Sequence, residues 1–275
     1  MLAFRAGKYR FPLGERTYIM GILNVTPDSF SDGGQYLDPD RALERALQME
    51  REGADILDIG AQSTRPGYEP VSPKIEWTRL APVLERLKGR VRIPLSVDTF
   101  YPEVAREALA LGADIINDVE GMKNREMLRV IGESDCGYAV MHSQGDGYLF
   151  GVAESVRRFL AQRVLMALEA GIDRQRICID PGIGFGKTQE ENLELIRDLR
   201  EVQIMGCALL VGASRKRVVR DACGNPPVEE RLYGTLAAHS IAIFNGADII
   251  RVHDVAPAKQ AAMMADAIRG RAEHG

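Results

Sequence analysis

Short apolar runs alternate with longer amphipathic stretches along most of the chain. Eight of these runs predict β-strands, at residues 18–24, 55–60, 93–98, 114–118, 137–142, 176–180, 207–212 and 248–253. The clearest helical stretch covers residues 40–53 and ends at Gly53, a residue type that commonly terminates helices. Its apolar stripe consists of Ala42, Leu43, Ala46, Leu47 and Met49. Regular alternation of strand and helix is typical of βα units and of a parallel sheet.

One short sequence frame recurs at three separated points. It consists of Gly-Ala-Asp followed by an apolar run, and it begins at Gly53, Gly112 and Gly246. In each copy a helix is predicted to end at the glycine and a strand to follow, which indicates a repeated βα unit. The polar residue five positions after the glycine differs between copies, being Asp58, Asn117 and Arg251. A shared scaffold with varying polar residues near the C-terminal ends of the strands is typical of a βα-barrel, because the active site of such a barrel lies at that end.

Eight strands in a chain of 275 residues predict a (β/α)8 TIM barrel. Residues 3–14 predict an N-terminal β-hairpin that turns near Gly7, and the whole chain, 1–275, is interpreted as a single domain because no linker or low-complexity tract interrupts it. An open, doubly wound sheet is the alternative architecture for the same alternation.

Composition restricts the classes of partner and compartment. The chain is 45% hydrophobic and 27% charged, with a net charge of −4, so nothing global points to nucleic acid or an anionic membrane. The four cysteines form no C-x-x-C pair, and three of them lie in apolar segments, which predicts reduced thiols in a reducing compartment. Neither a signal peptide nor a membrane-spanning run is recognisable, and we therefore expect a cytoplasmic protein.

Polar residues gather where the predicted strands end. Asp98, Asn117, Asp180 and Arg251 each belong to an otherwise apolar run, so they should point into a partly desolvated mouth. Leaving such groups buried and unpaired costs several kcal/mol, so either they satisfy one another or a polar ligand satisfies them. Carboxylates and an amide suit a flat heterocycle bearing N–H groups, such as an aminopyrimidine ring.

Cations and hard oxygen donors lie at other predicted strand ends. Arg65, Lys216, Arg251 and His253 suit an anion, because guanidinium groups match phosphate oxygens. Asn24, Asp28 and Asp32 could supply oxygen ligands to a magnesium ion that bridges phosphates.

The glycine-rich segment 182–188 resembles two nucleotide-binding motifs and fails both. A P-loop would require glycine at the position of Pro181, and Lys187 occupies the third glycine position of the dinucleotide fingerprint. Nucleotide binding by either route is therefore disfavoured.

Seven segments together closely resemble the dihydropteroate synthase family of (β/α)8 barrels. They are residues 21–34 (GILNVTPDSFSDGG), 63–67 (STRPG), 96–99 (SVDT), 116–119 (INDV), 180–188 (DPGIGFGKT), 214–216 (SRK) and 251–254 (RVHD). They occur in family order and cover nearly the whole chain. The resemblance implies an enzyme that joins 6-hydroxymethyl-7,8-dihydropterin diphosphate to 4-aminobenzoate and releases pyrophosphate, with Mg²⁺ as cofactor. It also implies a homodimer and a target of sulfonamides, which mimic 4-aminobenzoate in the family.

The resemblance further implies roles for individual residues. The pterin should contact Asp98, Asn117, Met141, Asp180, Phe185, Lys216 and Arg251. The diphosphate should contact Asn24, Arg65, Arg251 and His253, and Mg²⁺ should lie near Asn24 and Asp32. Phe30, Thr64 and Pro66 should close over 4-aminobenzoate. Asp98, Lys216 and Arg251 are the predicted catalytic residues.

The chain departs from the family at Arg217, where many members have a serine that helps to bind the aminobenzoate carboxylate. Our hypothesis is that Arg217 still serves that carboxylate, through its charge or its backbone N–H. Two other functions share the barrel and stay open at this point. A pterin-dependent methyltransferase should lack the flap at residues 24–32 and the loop at 63–67, and a non-catalytic pterin-binding relative should have lost flap or anion-binding residues.

Several further residues are interpreted as mainly structural. Arg215 and His239 are expected to support the fold, and Asp118 and Asp254 to orient neighbouring chain. His142 could support the site or the fold, and Lys187 could contact the ligand or be a solvated loop cation.

Overall fold

Eight parallel strands close into a barrel in the computed structural model, which describes residues 2–26, 38–62, 70–143, 145, 148 and 151–271. The barrel strands are β3 (Tyr18–Asn24), β4 (Ile56–Gly60), β5 (Leu95–Asp98), β6 (Ile115–Asp118), β7 (Gly137–Met141), β8 (Ile177–Asp180), β9 (Ala208–Val211) and β10 (Ile249–Val252). They are paired in chain order, and β10 pairs with β3 from Ile249 opposite Tyr18 to complete the closure. The open-sheet alternative is therefore excluded, and the (β/α)8 prediction is confirmed.

Helices surround the barrel and connect successive strands. They are α1 (Pro39–Arg51), α2 (Pro73–Leu87), α3 (Pro102–Leu111), α4 (Glu126–Gly132), α5 (Val152–Glu169), α6 (Gln189–Arg197), α7 (Arg217–Ala222), α8 (Leu232–Phe244) and α9 (Val255–Ile268). Short 3₁₀ turns lie at Arg174–Arg176, Leu199–Val202 and Val228–Glu230. Within the described ranges, every helix is too short or too polar to cross a membrane.

The recurring Gly-Ala-Asp frame has one geometry in its three copies. The glycines have φ values of +96°, +104° and +117°, a left-handed conformation that glycine adopts without strain. The aspartate that follows accepts a backbone N–H from the preceding strand of the barrel: Asp55 from Ile19 at 2.8 Å, Asp114 from Leu95 at 3.0 Å and Asp248 from Leu209 at 3.1 Å. The frame therefore ends a helix and fastens the start of one strand to its neighbour.

An antiparallel hairpin, β1 (Ala3–Ala6) with β2 (Tyr9–Pro12), closes the N-terminal end of the barrel, and its turn includes Gly7 as predicted. Phe4 stacks on Phe11 with ring centres 5.9 Å apart, and Phe11 meets the edge of Tyr18 at 5.0 Å. A Cβ atom at Gly137, the first residue of β7, would lie 2.6 Å from the Phe4 ring, so the hairpin can pack this closely only against glycine.

The barrel interior changes from apolar to polar along the strands. Next to the hairpin it is filled by buried side chains that include Met20, Ile56, Ile115, Cys178 and Ile249. Because side chains two positions apart on a strand share a face, the next inward positions fall on polar residues. These positions are Asp58, Asp98, Asn117, Asp180 and Arg251. The remaining core lies between the outer faces of the strands and the helices.

Candidate active site

Asp58 is the centre of a buried hydrogen-bond network at the C-terminal mouth of the barrel. Its Oδ1 accepts the Ser96 hydroxyl at 2.6 Å, and its Oδ2 accepts Asn117 Nδ2 at 3.2 Å and Arg251 Nε at 2.6 Å. The Arg251 guanidinium also reaches across to Asp98, with Nη2 2.8 Å from Oδ2. Side chains from β4, β5, β6 and β10 therefore satisfy one another without a ligand, as buried polar groups require.

Burial controls the protonation of this cluster. It raises the pKa of Asp98 to about 7, although Arg251 and Lys216 oppose the rise, and it raises the pKa of Asp180 as well. Burial also works against a charge on Arg251, but the carboxylates of Asp58 and Asp98 raise its pKa above the ordinary value. At neutral pH, Asp98 is therefore close to its pKa, and a positive charge placed beside it would favour its ionised form.

Lys216 forms one wall of the mouth together with the segment after β8. Its Nζ donates to the Ile183 carbonyl at 2.7 Å and lies 4.5 Å from the centre of the Phe185 ring. Burial lowers the pKa of Lys216 to about 8, against the opposing effect of Asp180. The Asp180 carboxylate accepts the Gly182 N–H at 2.7 Å, which directs the chain away from the strand. This side of the mouth thus offers a carboxylate, an ammonium group and an aromatic face.

The ends of β9 and β10 are tied together. Ser214 Oγ lies 2.9 Å from His253 Nδ1 and accepts the His253 backbone N–H at 3.2 Å. Arg215, at a φ of +56°, forms two hydrogen bonds of 2.9 and 2.6 Å with Asp254. The structural roles expected for Arg215 and Asp254 are confirmed, and the pairing leaves Lys216 to face the mouth.

Asn24 lies beside Asp98 at the end of β3. A Cβ atom at Gly60 would lie 3.6 Å from Asp98 Cβ and 3.8 Å from Asn24 Oδ1, so a single glycine separates the two side chains. The amide oxygen of Asn24 is a hard donor of the kind that Mg²⁺ prefers. Asp28 and Asp32, the carboxylates predicted to assist it, lie outside the described residues.

Two histidines near the mouth are buried as neutral rings. Burial lowers the pKa of His142 to about 3, and its ring meets the edge of Phe159 at 4.8 Å. Burial likewise lowers the pKa of His239 to about 3, and His239 Nε2 accepts the Ala213 backbone N–H at 3.0 Å. The predicted structural role of His239 is confirmed, and His142 packs against α5 through Phe159.

Comparison with known proteins gives this mouth its context. Residues 20–253 match the pterin binding enzyme family. A dihydropteroate synthase from Clostridium beijerinckii is 43% identical over 266 residues, which are 96% of this chain and 98% of the relative. This chain belongs to the dihydropteroate synthase family.

Solved structures of dihydropteroate synthases share its fold. One from Clostridium difficile, determined in the presence of pteroic acid, superimposes with a TM-score of 0.90 at 45% identity, covering 94% of this chain and 98% of the other. A second, from Yersinia pestis with a sulfonamide drug complex, gives a TM-score of 0.90 at 37% identity, covering 98% and 100%. The resemblance stated from the sequence motifs is confirmed.

The structure brings most of the predicted site residues of this synthase family member together. Nine of them lie at or next to the C-terminal end of the barrel: Asn24, Asp98, Asn117, Met141, Asp180, Phe185, Lys216, Arg251 and His253. Phe30, Asp32, Thr64, Arg65 and Pro66 lie outside the described residues. Their contributions to the synthase site stay predictions.

Arg217, predicted to bind the aminobenzoate carboxylate, lies outside the buried polar cluster. It is the first residue of α7, its side chain is 65% exposed, and its Nε lies 3.5 Å from Asp221. Its place one residue after Lys216 leaves it on the rim of the synthase mouth.

Asp58 and Ser96 were missed as site residues by the sequence reasoning. A signal existed for Asp58, because it occupies the same position in the Gly-Ala-Asp frame as Asn117 and Arg251, which were selected. Lys187 is not the solvated loop cation that the sequence allowed, because its ammonium group turns inward and donates to backbone carbonyls.

Proposed function

We propose that this protein acts as a dihydropteroate synthase, joining 6-hydroxymethyl-7,8-dihydropterin diphosphate to 4-aminobenzoate with release of pyrophosphate. The proposal rests on the polar cluster at the C-terminal end of the barrel, in a chain that belongs to this family. In that cluster the buried acceptors Asp98, Asn117 and Asp180 lie opposite two cations, Lys216 and Arg251. The relative from Clostridium difficile was solved in the presence of pteroic acid, a molecule that joins a pterin to an aminobenzoate as the proposed product does.

The pterin fits the acceptors and donors of this mouth. Its N–H edge would be bound by Asp98, Asn117 and Asp180, its carbonyl would accept from Lys216, and Met141 and Phe185 would form walls of the slot. Arg251, held edge-on by Asp58 and Asp98, would pack along the ring and contact the diphosphate. Because these groups are already fixed by one another, little ordering is required when the ring binds.

Catalysis would stabilise separating charge. The bond between the pterin methylene carbon and the diphosphate oxygen breaks, and its electron pair leaves with pyrophosphate. The amine of 4-aminobenzoate then attacks the methylene carbon and loses a proton. A cationic pterin next to Asp98 favours the carboxylate form of a group whose pKa is about 7, so binding strengthens in the transition state. Arg251 and His253, with Arg65 and Asn24, would hold the departing pyrophosphate.

Magnesium would supply charge neutralisation for the diphosphate. Asn24, whose amide oxygen lies beside Asp98 at the end of β3, would be one ligand, and Asp32 is the predicted second ligand. We expect chelation with excess EDTA to abolish product formation and added Mg²⁺ to restore it, while pterin lacking the diphosphate binds equally well in both conditions. Equal turnover with and without chelator would contradict a magnesium requirement.

Two further features belong to the same proposal. We place the protein in the cytoplasm, because its four cysteines are free and an oxidising compartment would expose them to pairing. We also propose a homodimer formed by α8 and α9, whose outward faces carry large exposed apolar side chains. These are Tyr233, Ile241, Phe244, Met263, Met264 and Ile268.

A single assay tests the function. Purified protein with Mg²⁺, pterin diphosphate and 4-aminobenzoate should release dihydropteroate and pyrophosphate in equal amounts. Folded protein that binds the pterin but forms no dihydropteroate would instead be a non-catalytic pterin-binding relative. A folded sample that binds neither substrate would overturn both functions.

A further inference from the structure

Lys187 directs its ammonium group into the protein at the end of the 180–188 segment. Its Nζ donates to three backbone carbonyls: His142 at 3.2 Å, Gly182 at 3.0 Å and Phe185 at 2.9 Å. An ammonium group has three N–H donors, so donors and acceptors are matched one to one. The carbonyls come from two different chain segments, the end of β7 and the turn after β8, which meet at this cation.

The two segments approach too closely for side chains to separate them. A Cβ atom at Gly182 would lie 1.9 Å from the His142 carbonyl oxygen, and one at Gly145 would lie 1.8 Å from the Gly186 oxygen. Three carbonyl dipoles therefore converge on a small volume, and their negative ends repel one another unless a cation lies between them. Lys187 supplies that cation.

The turn fixed in this way carries much of the pterin wall. It begins at Asp180, whose carboxylate accepts the Gly182 N–H, and it presents the Ile183 carbonyl to Lys216 at 2.7 Å. It also carries Phe185, whose ring faces the Lys216 ammonium group at 4.5 Å. Asn192 fastens the outer side, accepting the Gly184 N–H at 2.6 Å and donating to the Thr188 carbonyl at 2.6 Å.

We propose that Lys187 is a positioning residue for the pterin slot: its ammonium group holds the carbonyls of His142, Gly182 and Phe185 and thereby sets the position of Phe185 and Asp180. The proposal rests on the proposed function, because it assigns the slot to a pterin. It gives the lysine of the 180–188 segment a role that needs no contact with the ligand.

The electrostatic surroundings make this arrangement sensitive to pH. Burial lowers the pKa of Lys187 to about 7; Asp180 and Glu191 favour its charged form, and Lys216 opposes it. His142, from β7, is neutral over the working range. A neutral amine has two N–H donors for three carbonyls, so the turn loses one contact as pH rises above about 7. Asp98 and Lys216, with pKa values of about 7 and 8, also titrate in this range, so the contribution of Lys187 is the difference between the pH profiles of the wild type and of a Lys187 variant.

The test compares Lys187→Met with Lys88→Met, an exposed lysine at the end of α2. Binding of pterin diphosphate, without 4-aminobenzoate, is measured by calorimetry from pH 6 to 9. We expect Lys187→Met to weaken binding by about tenfold at pH 6.5, equivalent to losing one charged hydrogen bond. The tenfold difference from the wild type should shrink above pH 7, where the wild-type amine is neutral. The KM for 4-aminobenzoate should change much less, and Lys88→Met should match the wild type throughout.

Chemical rescue separates the ammonium group from general packing. In a Cys223→Ser background, which removes the exposed cysteine, Lys187→Cys can be alkylated with 2-bromoethylamine to restore an amine of nearly the same length. Restored affinity, lost at a lower pH than in the wild type because this amine is less basic, supports the proposal. If Lys187→Met does not fold, the alkylated Lys187→Cys protein provides the test instead.

Three results would overturn the proposal. They are wild-type affinity in Lys187→Met, equal losses for pterin and 4-aminobenzoate, and no recovery after alkylation of a folded variant. Because pterin binding is measured alone, a wild-type protein that binds pterin without forming dihydropteroate would defeat the proposed reaction and leave the role of Lys187 standing.

Discussion

Asp58 shows how a side chain can organise a site through its neighbours. It is fully buried, it receives hydrogen bonds from Ser96, Asn117 and Arg251, and it holds the guanidinium group that also contacts Asp98. Removing one partner of a buried ion pair leaves the other charge uncompensated, which is strongly unfavourable.

We therefore expect Asp58→Asn to lower the free energy of unfolding by about 3 kcal/mol and to weaken pterin binding, because Arg251 loses its orienting carboxylate. Urea denaturation and calorimetric titration measure the two effects. Asp254→Asn is the matched control: it breaks an ion pair whose carboxylate is 22% exposed, and its effect on stability should be about 1 kcal/mol or less. Equal destabilisation by the two substitutions would contradict the central role of Asp58.

Arg217→Ser tests the position where the chain departs from its family. Arg217 lies at the rim on the first turn of α7, with only Asp221 as its ion-pair partner among the described residues. An exposed charge contributes about 0.5 to 1 kcal/mol to binding a carboxylate, so the KM for 4-aminobenzoate should change by about threefold. Turnover should stay broadly intact. An unchanged KM in steady-state assays would show that the Arg217 side chain does not serve the carboxylate.

Some residues of the site could be predicted from the sequence, and others could not. Asp98, Asn117, Asp180 and Arg251 stood out because each interrupts an apolar run, and all four meet in the mouth. Lys187 gave no comparable signal, because its partners are backbone carbonyls from two segments, and a sequence does not show which carbonyls converge.

At the scale of elements, a buried carboxyl group joins α2 to the ends of β4 and β5. Glu76, in the first turn of α2, accepts Gln62 Nε2 at 2.5 Å, and Gln62 Oε1 accepts the Val71 N–H at 3.4 Å. Tyr101, which follows β5, donates its hydroxyl to the Val71 carbonyl at 2.7 Å. The chain on both sides of residues 63–69 is thus anchored to one carboxyl group.

Glu76 should make stability depend on pH. Burial raises its pKa from 4.5 to about 7, although Thr99 and Arg79 oppose the rise. The proton is therefore held more tightly in the folded state, and the stability it contributes is fully present below pH 4.5 and is lost as pH rises through 7.

Relative to Glu76→Gln, the wild-type protein should lose unfolding free energy between pH 5 and 7.5, at up to about 1.4 kcal/mol per pH unit. Urea denaturation at both pH values measures the difference. Glu126→Gln, which removes an exposed carboxylate on α4, is the control and should not change the slope over that range. A parallel pH dependence in wild type and Glu76→Gln would show that Glu76 is ionised throughout.

Element positions followed from the sequence with small errors at the ends. β3 has its predicted bounds, whereas the strand predicted from residue 93 begins at Leu95, because Pro94 has no N–H to donate to a ladder. The frame aspartates were assigned to strands, but they lie just before them, since their side chains cap the neighbouring strand. Such cross-strand capping depends on which strands become neighbours, which periodicity does not reveal.

At the scale of the molecule, α8 and α9 differ from the other outer helices. Their solvent faces carry Tyr233, Ile241, Phe244, Met263 and Ile268, whereas α1 exposes charged side chains on its outward face. Contiguous exposed apolar patches usually mark interaction sites, and the two helices pack against each other side by side. A second copy of the chain is the partner we propose.

Ile241→Glu should therefore shift the protein from dimer to monomer, because a carboxylate would be buried at a self-complementary interface. Sedimentation equilibrium at several concentrations measures the change. Leu165→Glu on α5, where the leucine is 57% exposed, is the matched control and should leave the association state unaltered. A wild-type protein that is monomeric at micromolar concentration would refute the proposed interface.

The hairpin at the closed end of the barrel has a consequence for biosynthesis. β1 and β2 are translated before the barrel strands, yet Phe4 and Ala6 pack against Gly137, and Arg5 contacts Asp173. The surface that they pack against does not exist until the chain through β8 has been translated. The hairpin therefore reaches its final position only after the strands up to β8 have been translated, although it precedes all of them in the chain.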